Sequence, residues 1–86
     1  MKKIEIKFTS VSDAYDFANR LNESSKDDFS LTNEDGSKTV DLRTHMSIIY
    51  ALSDFDKIYL INNTNDGVFP EFIREDKIND HAQNAD

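Results

Sequence analysis

The chain has 86 residues, a net charge of −7, 37% hydrophobic residues and no cysteine, which gives one domain with a modest core and excludes disulfides and thiolate metal sites. The acidic balance excludes the basic footprint that nucleic acid demands; it keeps a small domain in solution or fits a partner with a basic patch. No apolar run approaches the ~20 residues of a membrane span, and Met1–Glu5 leads into an alternating strand rather than a signal peptide, so a cytoplasmic protein is expected.

Lys3–Phe8 alternates strictly, with Ile4, Ile6 and Phe8 on one face and charges on the other. That predicts a half-buried strand of an antiparallel sheet. Thr9–Ser12 reads as a loop rich in hydroxyls. Ser10 with Asp13 three residues later fits a capping box, and Ser12 is an alternative cap. Val11, Ala14, Phe17, Ala18 and Leu21 then recur at helical spacing, which predicts an amphipathic helix of about 10–12 residues ending in Asn22–Asp27.

Phe29–Thr32 alternates again. Asp35-Gly36 signals a hairpin, with Thr39–Leu42 as the return strand. Thr44 caps a second helix with Met46, Ile49 and Leu52 inward and Ile48 helping. Phe17 and Ile49 are expected to be buried, leaving Tyr50 or Met46 as exposed contacts. Ser53–Asp56 breaks the helix. Lys57–Ile61 is nearly all apolar, which predicts a strand covered on both faces near the middle of the sheet. Asn62–Gly67 is a turn. Pro70 suits the first position of a third helix, with Phe69, Phe72, Ile73 and Ile78 packing inward. Asn79–Asp86 has no large apolar residue and is expected to be disordered, leaving residues 1–78 as the domain.

The expected fold is α+β: an open-faced sandwich with a four-stranded antiparallel sheet, two main helices and a short C-terminal helix on one face, in the order β-α-β-β-α-β-α. That order alone occurs in many unrelated families.

Arg43-Thr44-His45-Met46-Ser47-Ile48, preceded by Asp35-Gly36 and Val40, carries more information. It resembles the Lys-Ser-Ile-Met-Gly-Ile pattern of HPr, the phosphocarrier of the bacterial sugar phosphotransferase system. His45 and Ser47 depart from it. The likeness covers roughly residues 1–62 and implies the fold above. It also implies a histidine after the first strand, followed by arginine and proline. Here that stretch is Thr9-Ser10-Val11-Ser12-Asp13-Ala14-Tyr15-Asp16, which has none of the three. The ungapped placement puts Asp13 at the histidine's position and Tyr15 at the arginine's.

A phosphohistidine at a helix N-terminus is stabilised by free N–H groups and the helix dipole. Asp13 puts a permanent carboxylate there. It stabilises the helix by roughly 0.3–1 kcal/mol but repels an incoming phosphoryl group. Asp13 is therefore either an acyl-phosphate acceptor or charge mimic, or an ordinary N-terminal helix carboxylate. Thr44 is either a regulatory phosphosite, as the resemblance implies for Gram-positive members, or a helix cap that needs no further role. His45 is either a relocated acceptor or an exposed interface residue; no carboxylate lies at local spacing. His81 falls in the expected tail and is weaker. The two histidines have no ligand spacing, so neither metal nor cofactor is expected.

The resemblance implies partner docking around the starts of the two main helices, here Ser12, Asp13, Tyr15, Thr44, His45, Met46 and Tyr50. The expected function is a non-catalytic binding or regulatory module, monomeric. Its partner is expected to be a protein, a phosphotransferase component or regulator, with no nucleic acid and no membrane. The alternatives are a phosphocarrier using His45 or Asp13, a protein regulated by phosphorylation at Thr44, and an unrelated α+β interaction domain.

Overall fold

A computed structural model describes residues 2–76, with side chains described through residue 73. The elements are β1 (Lys3–Ile6), α1 (Val11–Ser24), β2 (Phe29–Thr32), β3 (Thr39–Asp41), α2 (His45–Asp54), β4 (Ile58–Asn62) and α3 (Glu71–Asp76). The fold is α+β with a four-stranded antiparallel sheet in the order β1-β4-β2-β3. The expected positions of Ile78 and of the tail Asn79–Asp86 lie outside the described residues.

β4 is central, as its apolar run predicts: Leu60 pairs with Ile4 of β1 on one side and Leu31 of β2 on the other. The register puts Ile4, Ile6, Leu31, Val40, Ile58 and Leu60 on one face. That face joins one hydrophobic cluster with Ala14, Phe17, Ala18 and Leu21 of α1, Ile48 and Ala51 of α2, and Ile73 of α3. All three helices therefore cover the same side of the sheet. Phe8 and Phe72 pack against Phe17 with ring centroids 5.3 and 6.0 Å away.

The other face is open but not bare. Ile61 is only 8% exposed there. Lys3 lies over the Tyr59 ring, 4.5 Å from its centroid, and donates to the Glu34 carbonyl. Ser30 and Thr32 were expected to alternate outward from β2. They are buried because Asn63 Nδ2 donates to Ser30 Oγ at 2.8 Å and Thr32 Oγ1 donates to the Lys38 carbonyl at 2.9 Å.

Other boundaries shift for local reasons. Val11 and Ser12 belong to α1 rather than to the preceding loop, and α1 runs for 14 residues because nothing before Ser25 stops it. The Asp35-Gly36 turn sits inside a longer connection closed by Asn33 N–H donating to the Lys38 carbonyl at 3.2 Å; Gly36 supplies its left-handed residue at φ +77°. Pro70 precedes the first helical residue of α3, and its carbonyl accepts from Ile73 N–H at 3.2 Å.

Asn62 ends β4 and is 1% exposed, although its sequence neighbours read as a turn. Its Oδ1 accepts from Thr64 and Asn65 N–H, both at 2.9 Å. Its Nδ2 donates to Asp27 Oδ2 at 2.9 Å and to the Val68 carbonyl at 2.8 Å. Asn65 Nδ2 also donates to Asp27 Oδ2, at 3.0 Å. This network fastens the β4–α3 connection to the α1–β2 connection.

Replacing Asn62 with Ala orphans several of these groups, so Asn62→Ala is expected to cost about 1–3 kcal/mol in urea unfolding. The amide donors of Asn62 and Asn65 hold the Asp27 carboxyl below its ordinary range. The folded state therefore binds fewer protons than the unfolded one in acid, and this contribution is full above the ordinary carboxylate range. It is lost as pH falls through the lowered folded value. Asp27→Asn is expected to flatten the acid limb of the stability–pH curve and leave its neutral limb parallel to wild type.

Candidate functional site: the starts of the two main helices

Both helices begin on a hydroxyl cap. At α1, Ser10 Oγ accepts from Asp13 N–H at 3.0 Å, and the Ser10 carbonyl accepts the first helical bond from Ala14 N–H at 3.1 Å. Ser10 rather than Ser12 is the cap. Asp13 closes the box one residue early: its Oδ2 accepts from Thr9 N–H at 3.0 Å. The Asp13 carboxylate thus belongs to the helix's own start.

At α2, the Thr44 hydroxyl accepts from Ser47 N–H at 3.3 Å and donates to Ser47 Oγ at 2.8 Å. Asp41 Oδ1 accepts from Arg43 N–H at 2.8 Å and sets the turn into this cap. Arg43 reaches Asp28 at 3.4 Å. No acidic residue occupies the first turn of α2, so the two helix starts differ in charge although they share cap chemistry.

The structure joins the starts through one contact. Tyr15 of α1 and His45 of α2 stack with centroids 4.1 Å apart and planes 16° from parallel. Tyr15 is half-buried and His45 exposed. Of the predicted surface, these two touch directly; Ser12 and Asp13 lie on the first turn of α1, and Thr44, Met46 and Tyr50 on the cap and body of α2. His81 lies outside the described residues. Among the described residues no group of three His, Asp or Glu side chains is placed to hold a metal ion.

The exposure of α2 corrects the sequence reading. Ile49, expected in the core, is 40% exposed; Met46, given an inward spacing but also named with Tyr50 as an exposed contact, is 75% exposed. Ile48 and Ala51 take the core positions instead, with Leu52 half-buried. Val11, assigned to the inward stripe of α1, is 45% exposed. The physical reason is that Met46, Ile48, Ile49, Tyr50, Ala51 and Leu52 surround more of α2 than one sheet face can cover. The signal for an outward row was present in that excess.

Tyr50, 44% exposed, extends the row. Its ring meets Phe55 edge-on at 5.9 Å. Beside it Lys38 Nζ donates to Asp54 Oδ2 at 2.6 Å, which lowers the Asp54 pKa and raises that of Lys38. The arrangement offers an apolar row, Met46, Ile49 and Tyr50, bounded by a fixed aromatic pair at one end and an ion pair at the other. It is an exposed apolar surface on a helix whose opposite side is core.

No protein-family model, curated protein or solved structure matches this chain.

A row left outside the core adds little to stability. Met46→Ser is expected to change unfolding free energy by less than about 0.5 kcal/mol. Ile48→Ala, two residues on and buried, is expected to cost about 2–5 kcal/mol in the same urea titration.

Proposed function

We propose that this chain is a protein-docking module of HPr-like lineage that does not itself carry phosphate. The observation that carries the docking reading is the uncovered row of Met46, Ile49 and Tyr50 beside the Tyr15–His45 stack. Large side chains left outside a core of this size gain nothing for folding, and they gain burial when a partner covers them.

The lineage rests on the Arg43–Ile48 pattern and on the element order β-α-β-β-α-β-α, which the resemblance implies and the fold has. Phosphoryl silence is supported by Asp13. Its carboxylate and N–H are both committed to the α1 cap, at the place where a phosphohistidine needs free donors. On this reading the partner is a phosphotransferase component or its regulator, met in the cytoplasm, and Thr44 serves as a cap.

Intact-mass measurement separates this reading from its rivals. After incubation with enzyme I and phosphoenolpyruvate, and separately with ATP and the HPr kinase, the chain is expected to keep its mass while an HPr control gains ~80 Da. A gain on this chain overturns phosphoryl silence. Loss of that gain in His45→Ala or Asp13→Ala marks a relocated carrier, and loss in Thr44→Val marks a regulatory phosphoester.

A further inference from the structure

We infer that the docking surface takes a basic protein segment anchored by apolar side chains, with its lysines or arginines set along the outer face of α1. The inference rests on the docking reading and adds the chemistry of the partner.

Charge complementarity carries it. α1 holds the carboxylates Asp13, Asp16 and Glu23 against a single arginine, Arg20. Neither α1 nor α2 has a basic residue in its last turn. The Arg20 guanidinium lies over the Phe72 ring, 4.2 Å from its centroid. The neighbouring cations are also engaged, Lys38 with Asp54 at 2.6 Å and Arg43 with Asp28 at 3.4 Å.

The acidic groups have a defined place. Asp13, Asp16 and Glu23 line, with Asn19 and Arg20, a groove of about 530 Å³ between α1 and α3, floored by Phe17 and Phe72, so three carboxylates face one guanidinium there. This groove runs along one side of α1. Tyr15, stacked on His45, lies on the side toward α2 and its exposed row. A segment crossing from α2 to α1 therefore meets apolar side chains first and carboxylates second. An amphipathic basic helix has that order built into its two faces. An acidic segment brings like charges to the groove, and a second copy of this chain brings a net charge of −7 to meet its own.

The test is a titration of the isotope-labelled full chain, read by backbone amide shifts. The probe is a synthetic amphipathic helix with leucine on one face and lysine on the other. Its twin carries glutamate in place of lysine. The lysine peptide is expected to shift residues 45–50 and the α1 residues about Asp16 and Glu23, and to bind at least about tenfold tighter than the twin. Added salt narrows that ratio. Asp16→Asn with Glu23→Gln is expected to reduce the ratio, and Met46→Ser to weaken both peptides. Equal binding of the two peptides at residues 45–50 overturns the inference and leaves the docking reading standing. Binding of neither, or shifts confined to the open face of the sheet, overturns both. Shifts at residues 45–50 that grow with protein concentration alone assign the surface to a second copy and overturn the inference.

Discussion

β4 is bonded along both of its edges, to β1 and to β2, and the rest of the molecule hangs from that position. Its register sends Ile58 and Leu60 toward the helices and Tyr59 and Ile61 toward the open face. An antiparallel sheet can leave one face to water, but β4 carries Tyr59 and Ile61 on that face, so it gains from cover on both sides. On the helix side the cover is Phe17, Leu21 and Ile48. On the open side the Lys3 ammonium lies over the Tyr59 ring. The strand then ends on a buried amide rather than an apolar side chain. Asn62 makes four hydrogen bonds, so β4 fixes the loops at its end as well as the sheet beside it.

With the sheet fixed, the two main helices become a layer whose starts lie side by side, and caps decide what those starts can do. Free N–H groups at a helix N-terminus are an anion site only while they remain free. Ser10 satisfies one such donor at the α1 start, the Asp13 N–H, and Thr44 one at the α2 start, the Ser47 N–H, while Asp13 takes the Thr9 N–H just before the cap. The rings of Tyr15 and His45 then stack between the two starts.

Much of this was legible in the sequence. Period-two alternation in β1, the apolar run of β4, the Ser10 cap and the Thr44 cap all follow from local chemistry that tertiary packing did not override. The α2 faces were misread because six apolar residues in one short helix admit more than one inward face. The sheet chose Ile48 and Ala51 over Met46 and Ile49. Asn62 was misread because an Asn-rich stretch is ordinarily a turn. What makes it core is Asp27, 35 residues away in sequence, and no local pattern contains that partner. The Tyr15–His45 stack was hidden for the same reason, since it depends on how two helices are placed on a common sheet.

The exposed row and the acidic charge explain one another. An apolar row on a neutral domain is a self-association site, because nothing opposes two copies burying it against each other. Here the carboxylates of α1 are carried on the same helical layer, and they are present in both copies of any such pair. Repulsion between like surfaces costs a self-pair while the same field attracts a segment of opposite sign. The charge thus selects among the contacts that the apolar row alone would allow, and it does so without altering the core beneath. Selection of this kind needs the two features to keep a fixed spacing. The shared core of Ala14, Phe17, Ala18 and Leu21 with Ile48 and Ala51 supplies it, and the stack of Tyr15 on His45 follows from that placement.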